Sequence, residues 1–343
     1  MRPPPRLVVV IKCGSGADTA ELCADVAELR AQGTLVVLIH GGSAAMASLA
    51  GQLGVELRQL TAPDGVVTRY TDEATLDVLM LALAGRVKPA LLTQLARHGV
   101  RAIGLTGIDA GLLRARRKHA VRAVVDGRVT IARGNLSGRI AAVDAALLWM
   151  LIEQGLVPVV SPPALDEDGG PVNVNADRVA AAVAIALGAG SLVFLTGSPG
   201  ILADPVDPAS VMARFQVPAS PTAQGAISAG MGIKLVAAEE ALAGGVARVY
   251  VCGASERPVS RALIHRAGTS AMNVVGPRWG VPIAAYGPGD GRLSHSDGEH
   301  LLLSDYAFAI DVLSDAIADL AWVIRPGSAL RASSRTRPEG TIF

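Results

Sequence analysis

The chain has 343 residues, of which 50% are hydrophobic, 18% charged and 3% aromatic, with a formal net charge of +1. That length carries one large α/β domain or two unequal ones. The balanced charge gives no reason to expect nucleic acid or a membrane surface as a partner, and the few aromatics argue against a base-stacking face.

Cys13, Cys23 and Cys252 lie far apart with no C-x-x-C pair, as expected of a reduced cytoplasmic protein without structural zinc. The start, MRPPPR, leads straight into a strand without an apolar h-region, so no signal peptide is expected. The longest apolar stretch, VAAAVAIALGAGSLVFL (179–195), is interrupted by Gly188 and Gly190. It is shorter than the ~20 residues of a membrane span and reads as a buried helix followed by a buried strand.

Taken in order, short β-branched runs alternate with alanine- and leucine-rich segments. LVVVI (7–11) reads as a strand and 17–33 as a helix, with Leu22, Val26 and Leu29 on one face. LVVLI (35–39) is a strand, followed by HGGS and a second helix. Residues 71–99 are helical, with a break expected at Lys88-Pro89 because proline lacks the N–H a helix needs. RAIGL (101–105) is a strand, and the D-G turn inside 122–134 predicts a hairpin. Residues 141–155 are helical, 156–162 a strand, 192–196 and 248–252 further strands, with a helix around 233–244. Continuously apolar strands alternating with helices predict a mostly parallel sheet covered on both faces, an α/β three-layer sandwich. In such sheets ligands sit at the carboxyl ends of strands, where Lys12 and His40 to Ser43 fall. His40 is read as structural.

Lys12 follows a strand and precedes Gly14 and Gly16. A phosphate loop of the Walker kind carries its lysine after the glycines, so this is neither that loop nor a dinucleotide fingerprint. Four more stretches stand out: HGGS (40–43), RYTD (69–72), NVNAD (173–177) and GMGIK (230–234). Singly they are weak, since a strand-end lysine is commonly a snorkelling surface residue and HGG a tight turn. Together, two lysines, two glycine turns, an arginine and an aspartate suit phosphoryl transfer, which asks for positioning and positive charge.

The order K-x-G, HGG, R-x-T-D, N-x-N-A-D, G-M-x-x-K resembles the acetylglutamate kinase branch of the amino acid kinase family. Within it, TRYTD, GLTGIDAGLLRARRK (104–118), VDGRVTIARGNLSGRI (125–140) and SPPAL (161–165) are similar to kinases acting on aminoadipate or glutamate borne by LysW. LysW is a small acidic amino-group carrier protein.

The resemblance covers about residues 6–260. It implies an acceptor-binding half (1–176) and a nucleotide-binding half (177–260). It implies that Lys12 and Lys234 contact the transferred phosphoryl group, oriented by Asp177, and that Gly41, Gly42, Arg69 and Asn173 bind the acceptor. It gives Gly14, Ser15, Thr196 and Gly200 to the nucleotide and its phosphates. It further implies ATP as cosubstrate, magnesium held mainly by the nucleotide phosphates with no protein metal ligands, and a homodimer. The acceptor is expected to be a carrier-linked glutamate or 2-aminoadipate. Free N-acetylglutamate is one alternative, and a non-catalytic carrier-binding scaffold another. The chain departs from the family pattern at Ser15 and at Gly197, which stands where an aspartate is usual.

The run Arg114, Arg116, Arg117, Lys118, His119 and Arg122 beside the predicted hairpin reads as a solvated loop in isolation. Given the resemblance, Arg114, Arg116, Arg117 and Lys118 are assigned to docking an acidic carrier. Residues 268–300, within the segment 261–325, resemble the C-terminal end of metal-dependent amino-acyl deacylases. His295 matches their last metal ligand, but Ala271 replaces an aspartate and the other ligands have no counterpart. One histidine builds no dinuclear site, so this segment is read as a truncated remnant. Residues 326–343 are read as a flexible tail.

Overall fold

The computed structural model describes residues 7–14, 19–63, 67–125, 128–204, 206–208, 210–212, 215–216, 229–253 and 341–342. The deacylase-like segment therefore lies outside the described residues, as do Ser15 and all but two residues of the tail.

The chain begins β1 (Val8–Cys13), α1 (Thr19–Ala31), β2 (Leu35–His40) and α2 (Ser43–Leu53). A small ladder of β3 (Gln59–Thr61) and β4 (Val67–Arg69) leads to α3 (Glu73–Met80). Asp72 caps α3, its side chain accepting from Thr75 N–H at 2.9 Å. The break expected at Lys88-Pro89 takes a milder form. Leu81–Val87 continue as a π-helical segment into α4 (Lys88–Arg97), with Pro89 in the first turn of α4. The wider turns carry the chain past the missing proline N–H without ending it.

β5 (Ala102–Thr106) and a short turn at Asp109–Gly111 precede β6 (Leu113–Arg117), β7 (Ala120–Val125), β8 (Arg128–Arg133) and β9 (Gly138–Val143). β7 and β8 form the predicted hairpin, pairing Ala120–Val125 with Arg128–Arg133. The helix expected from 141 starts later. Residues 138–143 pair with β6, and α5 (Ala145–Glu153) begins where Asp144 caps it by accepting from Leu147 N–H at 3.0 Å. Then come β10 (Val157–Ser161), β11 (Ala164–Leu165), β12 (Pro171–Val172), α6 (Ala176–Ala186) and β13 (Ser191–Thr196). β14 (Phe215–Gln216), α7 (Ala229–Ala243), β15 (Arg248–Gly253) and β16 (Thr341–Ile342) complete it.

The main sheet runs β14-β16-β15-β13-β1-β2-β10-β5 and is parallel except between β14 and β16. Thr341–Ile342, the two described residues of the tail, pair between β14 and β15 in this sheet. Two four-stranded sheets, β12-β11-β6-β9 and β4-β3-β7-β8, flank the main one.

The sheet residues divide by pleat. Val8, Val10, Val37, Ile39, Val160 and Phe194 pack beneath α5, α6 and α7, whereas Val9, Ile11, Val36, Leu38, Val159 and Val193 pack beneath α1 and α4. This is the three-layer α/β sandwich expected. Among the described residues no helix is long and apolar enough to cross a membrane.

Candidate active site

β1 lies between β2 and β13, and the crevice at the carboxyl ends of these strands is where doubly covered sheets bind ligands. Lys12, one residue before the end of β1, lies on the Val8–Val10 face, so it points toward α6 and α7. There its Nζ lies 2.8 Å from Asp177 Oδ1. Lys234, from α7, brings Nζ to 3.4 Å from the other oxygen, Oδ2. The side chains of Lys12, Asp177 and Lys234 are 8%, 8% and 13% exposed.

Asp177 stands in the first turn of α6, where free backbone N–H groups favour a carboxylate. Asn175 caps that turn, accepting from the N–H groups of Asp177 (2.9 Å) and Arg178 (3.1 Å). Burial pulls the Lys234 ammonium below the usual lysine value; Lys12 lowers it further and Asp177 opposes both. Two ammoniums sharing one carboxylate leave net positive charge in a partly closed crevice, which suits a phosphoryl group.

Two glycine turns frame this centre. Gly14 donates its N–H to Leu195 O at 3.1 Å, and a Cβ there would lie 2.9 Å from that same oxygen. No larger residue fits, so the loop after β1 stays pinned to the end of β13. A Cβ on Gly42 would stand 2.5 Å from Leu83 Cδ2, so the second turn packs directly on the π-helical segment. No side chain caps α2, which follows that turn, and its first N–H groups remain available to an anion. A cavity of ≈ 340 Å³ opens beside the turns, lined by Gly14, Thr19, His40, Gly41, Gly42 and Arg86 among others.

His40 is structural, as expected. It is 1% exposed and its Nδ1–H donates to Gly41 O at 3.0 Å, while Nε2 has no partner among the described residues. Burial, helped by the charge of Lys88, pushes its pKa down to about 4, so the ring is neutral at pH 7. Cys13 is buried and its thiol is pushed up to about 11, which keeps it protonated beside Lys12.

Arg69, at the end of β4, is half-buried, and among the described residues no carboxylate pairs with it. Its Nη1 lies 2.8 Å from Met46 Sδ, and burial lowers its pKa. Asn173 donates Nδ2–H to Thr71 Oγ1 at 3.1 Å. Asp72 of the RYTD stretch caps α3 and is held at about 2, first by Thr75 and then by Arg58. On the other half, Thr196 ends β13 with Oγ1 3.4 Å from Ser198 Oγ, and Ser198 Oγ donates to Gly200 O at 3.2 Å.

Arg114 and Arg116 are exposed on β6, and Arg116 stands directly opposite Arg139 of β9. The Arg117 N–H donates to Glu167 Oε2 at 3.1 Å, while its side-chain Nε is buried without a partner. Burial and the charges of Arg139 and Arg178 lower Lys118.

The structure thus brings Lys12, Asp177 and Lys234 into contact and joins Asn173 to the residue two beyond Arg69. Arg114, Arg116 and Arg117 of the basic run lie on β6, in the β12-β11-β6-β9 sheet. Sequence reasoning missed Met46, Thr71, Asn135 and Lys88. The asparagine between glycines in GNLSG was a usable signal for Asn135, whereas nothing in sequence marks a buried methionine or lysine.

Fold and site together define an α/β phosphotransferase. The chain belongs to the amino acid kinase family, whose model matches residues 8–253. It is 38% identical over 261 residues to the LysW-aminoadipate kinase of Thermus thermophilus, covering 75% of this chain and 97% of that one. It is also 38% identical over 250 residues to the acetylglutamate kinase of Symbiobacterium thermophilum, covering 71% and 83%. Among solved structures, N-acetylglutamate synthase of Neisseria gonorrhoeae, complexed with coenzyme A and N-acetylglutamate, superposes with a TM-score of 0.58 at 25% identity. That match covers 73% of this chain and 55% of that one. Carbamate kinase of Giardia, at 13% identity and a TM-score of 0.52, covers 75% and 96% and shares the fold.

Proposed function

We propose that the protein is an ATP-dependent kinase acting on the side-chain carboxylate of a glutamate or 2-aminoadipate carried by an acidic LysW-like protein. It would serve lysine or arginine biosynthesis. The observation that carries the phosphoryl-transfer reading is the Lys12–Asp177–Lys234 contact, with ammoniums at 2.8 and 3.4 Å on one buried carboxylate.

The acceptor carboxylate is ionised at pH 7 and attacks without a general base. Its oxygen bonds to the γ-phosphorus of ATP as the bond from that phosphorus to the β,γ-bridging oxygen breaks, and ADP leaves with the electron pair. Lys12 from β1 and Lys234 from α7 offset the charge on the transferred group. Gly42 and the uncapped first turn of α2 offer backbone N–H groups, whereas those of Gly14 and Gly41 are already donated to Leu195 O and Cys13 O, so these two glycines serve by letting the backbone come close. Arg69 and Asn173 take the acceptor, and Thr196 and Gly200 border the nucleotide. Magnesium enters with ATP as part of the substrate. Both oxygens of Asp177 are engaged by lysines, so the carboxylate at the centre is poorly suited to hold the ion itself.

Support for a carrier comes from the identity to LysW-aminoadipate kinases and from the cations Arg114, Arg116, Lys118 and Arg139, which pair with no carboxylate among the described residues. Identity to acetylglutamate kinase supports a second reading, with free N-acetylglutamate as acceptor. The test is trapping of the acyl phosphate as a hydroxamate. Product from carrier-linked glutamate or aminoadipate is expected. Product from free N-acetylglutamate alone would favour the second reading. Tight carrier binding without product from any acceptor would leave a scaffold.

A further inference from the structure

The backbone around Arg69 is held by residues that the phosphoryl-transfer reading does not use. Tyr70 donates its hydroxyl to Arg133 O at 2.9 Å, at the end of β8. Arg58 lies over the Tyr70 ring at 4.5 Å and accepts the Tyr70 N–H on its carbonyl at 2.9 Å. Thr71 is fully buried and is gripped three times. Its N–H donates to Asn135 Oδ1 at 3.0 Å, its carbonyl accepts from Leu136 N–H at 2.6 Å, and its hydroxyl accepts from Asn173 Nδ2 at 3.1 Å.

Asn135 is 2% exposed and also donates Nδ2–H to Ser137 Oγ at 2.9 Å. Gly134, with φ of 73°, turns the chain between Arg133 and Asn135. The same segment reaches two other places. Asn173 N–H donates to Leu136 O at 2.8 Å and Gly138 N–H to Asn173 O at 2.9 Å. Lys118 N–H donates to Ser137 O at 2.8 Å, next to Arg139 on β9.

Residues 133–138 are therefore bonded at once to the stretch bearing Arg69, to Asn173, and to the cationic strands. Arg69 itself is not fixed by any carboxylate among the described residues; besides its pairing with Gln59 and the contact of Nη1 with Met46 Sδ, its place depends on this backbone framework. An unpaired guanidinium has no ion pair to hold it, so a small shift of its backbone moves it directly.

We propose that Asn135 and Tyr70 are positioning residues that hold Arg69 and Asn173 in register for the acceptor carboxyl groups. Through them the segment 133–138 ties the acceptor site to the β6–β9 strip. The inference rests on the assignment of Arg69 and Asn173 to the acceptor. Losing one hydrogen bond costs a few-fold in an equilibrium constant, and displacing a positioned group costs more. Asn135→Ala is thus expected to raise the acceptor KM by roughly ten- to a hundredfold, and Tyr70→Phe by roughly three- to tenfold. The KM for ATP should stay within about twofold, since neither residue faces the Lys12–Asp177–Lys234 centre.

The experiment is steady-state kinetics of both variants with each acceptor that the wild-type protein turns over, with thermal unfolding in parallel. A rise confined to acceptor KM supports the proposal. Unchanged acceptor KM in folded Tyr70→Phe, or equal rises for ATP and acceptor, would overturn it. Absence of turnover in the wild type with every acceptor would instead sink the kinase reading, which keeps the two failures apart.

Discussion

Asp177 holds Lys12 with one carboxylate oxygen, at 2.8 Å, and keeps the other for Lys234, at 3.4 Å. The two lysines come from strands and helices far apart in sequence, and Lys234 is already depressed by burial and by Lys12. Asp177→Asn would leave two buried ammoniums facing each other with no counter-charge. Turnover is expected to fall by at least about a hundredfold, and stability by about 3–5 kcal/mol, the range for orphaning a buried charge. Lys12→Met should also abolish turnover but cost less stability, because Asp177 keeps Lys234. Kinetics with urea unfolding of both variants would test this; a Lys12→Met protein less stable than Asp177→Asn contradicts it.

His40 gives a pH dependence with a definite direction. Its pKa is about 4 in the folded protein against 6.5 for the free side chain. Above 6.5 neither state binds the proton. Between 6.5 and 4 the unfolded chain binds it and the folded one does not, so stability falls as pH drops through that window. The full effect is about 3 kcal/mol. Urea midpoints between pH 4 and 7 should show this slope. His40→Asn, which can still donate to Gly41 O, should flatten it; an unchanged slope would reject His40 as its source.

Lys88 is a second buried titrating group, 6% exposed, its stem lying so close over Gly104 that a Cβ there would meet Lys88 Cδ at 2.7 Å. Burial pushes it down to about 8, opposed by Asp109. Below pH 8 both states carry the proton and the folded state bears the cost of a buried charge. From pH 8 to 10.5 the unfolded state alone keeps the proton, so stability rises with pH. Lys88→Met is expected to stabilise the protein at pH 7 by about 1–3 kcal/mol and to remove that alkaline rise. Unfolding measured at pH 7 and pH 10 decides it, and a destabilised variant at pH 7 would refute the reading.

Much of this was legible in the sequence because the relevant signals were local. Uninterrupted runs such as LVVVI and LVVLI gave the parallel sheet, and glycines beside Lys12 and His40 gave the strand-end turns. Lys12, Asp177 and Lys234 could be named in advance through family resemblance, but their mutual contact depends on β1, α6 and α7 meeting at one crevice. The short strands escaped notice because β3, β4, β11 and β12 have two or three residues each, too few for a period of two to register. Residues 141–143 read as helix in the sequence because IAAVDAALL suits either state; the pairing of β9 with β6, Arg139 opposite Arg116, decides for strand. Thr71 and Asn135 are ordinary polar residues in sequence, and only their burial reveals what they hold.

The pairing of Arg116 with Arg139 leads to the last prediction. The two lie directly opposite on antiparallel β6 and β9, both exposed. Like charges in that relation destabilise a sheet, and an opposite pair contributes roughly 0.2–1 kcal/mol. Lys118 nearby is lowered first by burial and then by the charges of Arg139 and Arg178, so the repulsion is not confined to one pair. An acidic partner would relieve it, which matches the proposed carrier. Arg116→Glu should therefore raise thermal stability slightly, by up to about 1 kcal/mol, while weakening capture of the carrier. The KM for carrier-linked acceptor is expected to rise about tenfold at low salt and less at high salt, with the KM for ATP unchanged. Gained stability with unaltered carrier KM would show that the strip is a solvated cationic face and not the docking surface.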